Sequence, residues 1–257
     1  NVVEFTNRGD LAYEVFAGLV RHFAQADPAI ILGVGSVVDP GTAALYIASG
    51  ANFVVGPVLN PEVARVCNRR KIPYMPGCGS ASEISTAEEL GVEICKVFPG
   101  AEVGGPSFVK AMLGPCPWTR IMPTGGVEAT QESISAWFKA GVAAVGVGSN
   151  LIRSDLVARG DYAAISAKVA EMLAWIRQAR EEGPAPVARF GRMQVLNRIL
   201  DLGLVPVFYH PDLQTAIKIV SACTAGGANV VEFTNRGDLA YEVFAGLVRH
   251  FAQADPA

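Results

Sequence analysis

The hydrophobic and polar positions of the chain follow two alternating patterns. Short apolar runs rich in β-branched residues are separated by longer stretches in which apolar residues recur at helical spacing. This order predicts βα units and a parallel sheet. With the repeated end segment counted once, the pattern predicts eight strands: Val2–Phe5 or its copy Val230–Phe233, Ile31–Val34, Phe53–Val55, Tyr74–Met75, Ile94–Phe98, Arg120–Met122, Ala143–Val147 and Val205–Tyr209.

Capping residues mark the starts of several predicted helices. Asp39 and Asn60 each precede a proline, Ser82 precedes a glutamate, and Asp161 precedes a long amphipathic stretch. Eight βα units in a chain of 257 residues are typical of a compact barrel. We therefore expect an α/β protein in which residues 1–257 form a single (β/α)8 TIM barrel.

The two ends of the chain carry the same segment, since residues 1–29 recur without a change as residues 229–257. Evolved duplications drift, so this identity, together with the absence of an initiator Met, indicates engineering. We expect a circularly permuted barrel in which the two copies compete as one redundant βα unit. The segment 181–188 is rich in Pro and Gly and is predicted to link the parent termini near Arg180 and Arg189.

Composition and charge exclude several classes of partner. A net charge of −3 with interspersed signs provides no basic surface for a nucleic acid. The five cysteines include no C-x-x-C pair, which indicates reduced thiols and no metal site. No apolar stretch approaches the roughly 20 residues of a membrane span, and no secretory leader is recognised. We expect a cytoplasmic protein with a small-molecule substrate, without cofactor, metal or membrane partner.

Lys96 interrupts the apolar run of a predicted strand. Strand alternation places it on one face with Ile94 and Phe98, either inside the barrel or at its carboxyl-terminal mouth. Desolvation there would lower the pKa of the ammonium group and make the amine nucleophilic toward a carbonyl. The alternative is a structural lysine that reaches solvent or pairs with a glutamate.

A second polar interruption occurs where the first strand meets its loop. Glu4, Thr6 and Arg8 fall on one strand face, and Glu232 and Arg236 repeat this pattern in the second copy. A carboxylate near a buried lysine could shuttle protons, and an arginine fits a substrate carboxylate. A structural Glu–Arg pair at the barrel mouth is the alternative.

Two glycine-rich turns follow successive predicted strands, at Thr124-Gly125-Gly126 and at Gly148-Ser149. Such turns expose backbone N–H groups to an anion, and in a barrel the last two strands commonly form a phosphate site. Tight βα turns without a ligand are the alternative. Ser36 ends another strand in a similar glycine-containing motif, which by itself indicates only a turn.

A set of short segments identifies a family resemblance that covers nearly the whole chain in unpermuted order. The segments are VPV at Val205–Val207, VVEFTNR at Val2–Arg8 and Val230–Arg236, GVGSVVDP at Gly33–Pro40, IPYMPG at Ile72–Gly77, CKVFPG at Cys95–Gly100, MPTGGV at Met122–Val127 and VGVGSNL at Val145–Leu151. The chain thus resembles the 2-keto-3-deoxy-6-phosphogluconate and 4-hydroxy-2-oxoglutarate aldolases. This resemblance implies a class I aldolase (a lyase) built as a trimeric (β/α)8 barrel.

The resemblance also implies roles for individual residues. Lys96 matches the Schiff-base lysine, and Glu4 or Glu232 matches the general acid/base. Arg8 or Arg236 matches the residue that binds the substrate carboxylate, where Ser36 stands in place of the usual threonine. The remaining matches bind the phosphate or line the pocket: Thr124, Gly125, Gly126, Gly148 and Ser149 for the phosphate, Phe98 and Pro57 for the pocket.

These assignments imply cleavage of a 2-keto-3-deoxy-6-phospho sugar acid or of 4-hydroxy-2-oxoglutarate to pyruvate and an aldehyde. Two alternatives stay open at this point. One is another phosphate-binding barrel, a synthase or isomerase, that uses Lys96 and Glu4 as acid and base without a covalent step. The other is an engineered scaffold with little or no activity, in which the duplicate segments exchange between chains of a homo-oligomer.

Overall fold

The computed structural model describes residues 2–182 and 190–254, with side chains described up to residue 252. The chain divides into two compact units, residues 1–184 and 185–257. Each unit is built from alternating strands and helices, as the sequence pattern predicts. Most of the predicted linker 181–188 lies outside the described residues.

The first unit contains seven short strands and eight helices among its described residues. Their order is β1 (Val2–Thr6), α1 (Ala12–Ala26), β2 (Ile31–Gly35), α2 (Pro40–Ala48), β3 (Val54–Val55), α3 (Pro61–Arg70), β4 (Tyr74–Met75), β5 (Gly77–Cys78), α4 (Ala81–Glu89), β6 (Cys95–Val97), α5 (Gly105–Leu113), β7 (Ile121–Pro123), α6 (Gln131–Lys139), α7 (Ser154–Ala158) and α8 (Tyr162–Glu181).

All strand pairs of this unit are parallel. One sheet has the order β1-β2-β3-β4 and another the order β5-β6-β7. β4 and β5 are separated only by Pro76, which has no N–H to donate to a ladder, so one extended segment of chain contributes to both sheets. A single bridge between Thr124 and Gly146 extends the second sheet beyond β7. The result is a parallel βα arrangement of the kind expected for a barrel.

Strand alternation separates a core-facing side from a polar side. Leu32 and Val34 of β2 and Cys95 and Val97 of β6 belong to one buried hydrophobic cluster, together with residues of the surrounding helices. Their immediate neighbours in sequence must therefore project to the other face of the sheet. Lys96 is one of these neighbours, and it is buried.

Two predictions about local structure were wrong. The segment Ala143–Val147 forms only the bridge at Gly146, because the first unit offers it no second neighbouring strand among the described residues. The cap of α4 is Ser80 and not Ser82: the Ser80 hydroxyl accepts the Glu83 N–H, while the Glu83 carboxylate accepts the Gly79 N–H. The spacing Ser80-x-x-Glu83 is that of a capping box, but here the Glu83 carboxylate accepts the Gly79 N–H and not the N–H of the cap residue Ser80.

The second unit contains two parallel strands and three helices among its described residues. The elements are α9 (Arg192–Leu202), β8 (Val207–Phe208), α10 (Leu213–Ala225), β9 (Glu232–Phe233) and α11 (Ala240–Ala254). Val207 pairs with Glu232 and Phe208 with Phe233. A small core of Ala216, Val243 and Leu247 joins α10 to α11.

The two identical copies bury different faces of the same helix. In α1, Phe16 is 0% exposed and Val15 is 50% exposed. In α11 the pattern reverses, since Phe244, the twin of Phe16, is 51% exposed and Val243, the twin of Val15, is 4% exposed. The two identical helices thus bury different faces, which we call complementary packing. Each copy is packed against its own unit on one face only.

Candidate active site

Lys96 lies in the middle of β6 with its side chain on the polar face of the sheet. It is only 6% exposed, and its ammonium nitrogen lies 4.9 Å from the centre of the Phe98 ring. An ammonium group over an aromatic face is favourable, but burial removes most of its hydration. Burial lowers the pKa of Lys96, and the negative charge of Glu4 opposes this shift. A neutral, nucleophilic amine is therefore easier to reach at Lys96 than at a surface lysine.

Glu4 is the carboxylate that interacts electrostatically with Lys96. It lies on β1 opposite Gly33, and its Oε1 occupies the space where Gly35 would carry a Cβ. Although part of the Glu4 residue is exposed, the desolvation of its carboxyl group raises its pKa, and the Lys96 charge partly offsets this effect. Both groups are thus shifted toward their neutral forms, as suits a pair that exchanges protons.

Gly35 is a site residue that the sequence prediction missed. Its missing side chain makes room for the Glu4 carboxyl group, while Gly33 makes room for the ring of Phe53 in the same way. The sequence did contain a signal for this role. Gly33 and Gly35 lie two residues apart on one strand, and both face the side that carries Glu4 and Lys96.

Arg8 and Ser36 follow the carboxyl ends of two paired strands, β1 and β2. The pairing of Thr6 with Gly35 brings both residues to the same edge of the sheet. Ser36 has a left-handed backbone with a φ of 61°, which is uncommon outside glycine and frequent at functional sites. The Arg8 guanidinium is exposed and has no hydrogen bond or ion pair to any other described residue. It is therefore available to bind an anion.

The turn Thr124–Gly126 is shaped by two consecutive left-handed glycines, with φ of 84° at Gly125 and 72° at Gly126. The carbonyl groups of Thr124 and Gly125 accept the N–H groups of Gly100 and Ala101. In the described part of the chain, the N–H groups of Gly125 and Gly126 donate no hydrogen bond, and the buried Thr124 hydroxyl has no partner. These donors are suited to an anion.

The second glycine turn lies beside the first. Gly148 and Ser149 are exposed, and the Asn150 side-chain amide donates to the Val127 carbonyl at 3.1 Å. A Cβ on Gly146 would lie 2.5 Å from the Thr124 hydroxyl, so the two segments also touch at the bridge. The structure thus brings together the two turns that the sequence predicts as a phosphate site.

Phe98 and Pro57, the two predicted pocket residues, both follow strands of the first unit. The Phe98 ring contacts Lys96, and it also lies 3.7 Å from where a Cβ on Gly125 would be. The Pro57 carbonyl packs against Gly77, the residue paired with Lys96. Phe98 therefore lies between the lysine and the first glycine turn.

Glu232 and Arg236, the predicted residues of the second copy, lie in the second unit. Glu232 is on β9 next to Val207, and both residues are exposed. Glu4, and not Glu232, therefore shares a unit with Lys96. Across residues 2–182 and 190–252, no group of three His, Cys, Asp or Glu side chains could hold a metal ion. None of the described helices is long and apolar enough to cross a membrane.

Comparisons with known proteins identify relatives of this chain. The family model described as KDPG and KHG aldolase matches residues 1–168. A 2-dehydro-3-deoxy-phosphogluconate aldolase of Haemophilus influenzae is 35% identical over 49% of this chain and 58% of its own length. The corresponding protein of Pseudomonas aeruginosa is 36% identical over 57% of this chain and 66% of its own. The chain therefore spans less than two thirds of the length of these two relatives.

A solved structure is also similar to this chain. It is a KDPG aldolase from Legionella pneumophila with pyruvate captured as a covalent carbinolamine intermediate. The similarity has a TM-score of 0.59 and 29% identity, and it covers 65% of this chain and 78% of that one. Since the family model matches well over half of the 257 residues, the chain belongs to the KDPG and KHG aldolase family.

Proposed function

We propose that this protein is a class I aldolase. It cleaves a 2-keto-3-deoxy-6-phospho sugar acid or 4-hydroxy-2-oxoglutarate to pyruvate and an aldehyde, through a Schiff base on Lys96. The observation that carries the proposal is the buried amine of Lys96 near the carboxyl group of Glu4, close enough for the two charges to interact. The Legionella relative captured with pyruvate as a carbinolamine supports the same chemistry.

The reaction begins when the neutral Lys96 amine attacks the C2 carbonyl carbon of the substrate, whose oxygen takes a proton. The carbinolamine then loses a proton from nitrogen, and Glu4 protonates the departing hydroxyl group so that water leaves. The product is a protonated imine (iminium), which serves as an electron sink. Glu4 is left as a carboxylate, ready to act as a base.

Cleavage then uses the same carboxyl group of Glu4, now as a base instead of an acid. Glu4 removes the proton of the C4 hydroxyl group, the C3–C4 bond breaks, and its electron pair moves to the iminium to give an enamine and a free aldehyde. Protonation of the enamine at C3 and addition of water release pyruvate and regenerate the Lys96 amine. Every step uses residues of the first unit.

Two anion sites orient the substrate in this proposal. The free guanidinium of Arg8, beside Ser36, binds the carboxylate next to the reacting ketone. The unpaired N–H groups of Gly125 and Gly126, with the Thr124 hydroxyl, Gly148 and Ser149, bind the phosphate at the far end. Phe98 and Pro57 line the space between the two sites. This arrangement favours a phosphorylated substrate.

We also propose that one copy of the duplicated unit at a time completes a circularly permuted eight-stranded barrel. β1 pairs with β2 on one edge, and its twin β9 pairs with β8. A single strand of this sequence between β8 and β2 would have both edges paired. Its helix would likewise have the Phe16 face and the Val15 face covered. The redundant copy is then free to exchange with a neighbouring chain.

Two further parts of the proposal rest on the five free cysteines and on the family resemblance, in that order. They are a cytoplasmic location and assembly as a homo-oligomer, a trimer in which swapping of the duplicated segment alters the subunit contacts. Sedimentation at several protein concentrations tests the oligomer, since exchange between chains makes the size distribution depend on concentration. A monomer at all concentrations would contradict it.

The activity is tested by measuring pyruvate release from matched substrates with and without a terminal phosphate. The proposal predicts a higher kcat/KM for the phosphorylated compound, because only it reaches the glycine turns. Equal kcat/KM values would mean that these turns bind no phosphate. A complete lack of pyruvate release from all candidate keto acids would contradict the aldolase assignment.

A further inference from the structure

A buried tyrosine on α2 contacts the loop that follows β1. Tyr46 is 1% exposed, and its ring stacks edge-to-face on Phe16, with 5.0 Å between centroids. Its hydroxyl donates a hydrogen bond to the side-chain oxygen of Asn7 at 2.8 Å. Burial raises the pKa of Tyr46, so this hydroxyl stays protonated and keeps its role as donor. The bond joins residues that are 39 positions apart in sequence.

Asn7 is fixed by its backbone as well as by its side chain. Its N–H donates to the Gly35 carbonyl at 2.9 Å, which continues the pairing of β1 with β2 by one residue. Successive residues of an extended chain face opposite sides. With the Asn7 side chain held toward α2, the next residue, Arg8, is directed to the face that carries Glu4.

We propose that Tyr46 is a positioning residue for the substrate carboxylate site. Through Asn7 it holds Arg8 on the side of the sheet where Glu4 and Lys96 lie. The Arg8 guanidinium has no other partner among the described residues, so its position depends on the backbone that carries it. This inference rests on the proposed aldolase function and deepens it, since it assigns a residue outside the pocket to substrate binding.

The first test is the variant Tyr46→Phe, which removes the hydroxyl and keeps the ring. We expect KM for the keto acid substrate to rise about five- to tenfold while kcat stays within about twofold, because a contact to an unreacting carboxylate contributes to binding in ground and transition states alike. The matched control is Tyr13→Phe, whose ring also packs on Tyr46 and whose hydroxyl accepts only from Ser49. It should leave KM unchanged.

A second measurement separates positioning from a general structural role. Tyr46→Phe is repeated in a background that carries both Arg8→Ala and Arg236→Ala. If Tyr46 acts through the arginine, the variant adds less than about a twofold change in KM in this background. The same five- to tenfold rise with and without the arginines would overturn the inference, and so would a fall in kcat at unchanged KM.

The inference does not depend on the folding of a single variant. If Tyr46→Phe fails to fold, the double variant Asn7→Ala and Asn235→Ala removes the same hydrogen bond from the other side in whichever copy is used. It should reproduce the rise in KM, and an unchanged KM would contradict the role of Tyr46.

Failure of this inference is distinguishable from failure of the aldolase assignment. Borohydride with saturating pyruvate should still label Lys96 in Tyr46→Phe, because the amine itself is untouched. An unlabelled parent protein would contradict the proposed function. If the parent protein and Tyr46→Phe are both labelled and have equal KM values, only the role of Tyr46 is contradicted.

Discussion

The carboxyl group of Glu4 occupies the space that a side chain on Gly35 would fill. This contact sets the position of the proposed acid/base relative to Lys96, since Gly35 lies on the strand next to β1. A methyl group at position 35 must therefore displace the carboxyl group. The relationship explains why a glycine is required at the end of β2, on the face that also carries the buried lysine.

The variant Gly35→Ala is expected to lower kcat about 100-fold, because a displaced general acid/base loses most of its contribution. Steady-state pyruvate release measures this effect. Gly18→Ala is the matched control, since a Cβ at position 18 meets no atom within 4 Å and should leave kcat unchanged. A Gly35→Ala protein with full kcat would show that the position of Glu4 is unimportant.

The variant Gly146→Ala is expected to weaken phosphate binding selectively, because its Cβ would crowd the Thr124 hydroxyl at 2.5 Å. KM for a phosphorylated substrate should rise about tenfold, with little change for 4-hydroxy-2-oxoglutarate. Thr119→Ala is the control, because the Thr119 hydroxyl is also buried without a partner. Thr119 lies before β7, whereas Thr124 lies after it. Equal effects on both substrates would contradict a phosphate site here.

The coupling of Glu4 to Lys96 predicts a pH effect with a definite sign. The negative charge of Glu4 raises the pKa of Lys96 against the effect of burial. In Glu4→Gln the pKa of Lys96 should therefore fall further below 10.5, and the amine should react with an amine-specific reagent at lower pH. Glu232 lies in the other unit in the structure, so Glu232→Gln is the matched control, and equal shifts in both variants would show that the two copies exchange. A shift to higher pH in Glu4→Gln would contradict the coupling.

As long as each copy stays in its own unit, as in the structure, the complementary packing of the two copies predicts opposite responses to paired substitutions. Phe16→Ala should lower the free energy of unfolding by about 3 to 5 kcal/mol, whereas Phe244→Ala should cost below about 1 kcal/mol. For the valines the order reverses, so that Val243→Ala is more costly than Val15→Ala. Chemical denaturation measures all four variants. Equal effects within each pair would show instead that one copy at a time fills the barrel position and that the two copies exchange, as the permuted barrel proposed above allows.

Much of the site could be predicted from the sequence, because charged residues inside apolar strands are costly and therefore conspicuous. Lys96 and Glu4 stood out in this way, and strand alternation placed each on the correct face. The two glycine turns were recognisable from composition and order. These signals are local, so a single strand or turn contains all the information that they require.

The remaining features depend on contacts between distant segments. Nothing in the local sequence predicts that Tyr46 bonds to Asn7, or that the Glu4 carboxyl group occupies the space beside Gly35. The lack of a ladder at Ala143–Val147 likewise depends on which strand is available as a neighbour. The packing of the two copies is the extreme case, since identical sequences cannot predict opposite buried faces.

Reductive trapping on Lys96 tests the central claim most directly. The protein is incubated with pyruvate and borohydride, and the labelled peptide is identified by mass spectrometry. A class I mechanism predicts one covalent pyruvyl adduct on Lys96, and none in Lys96→Ala. An unmodified protein, or an adduct that persists in Lys96→Ala, would contradict the Schiff-base mechanism.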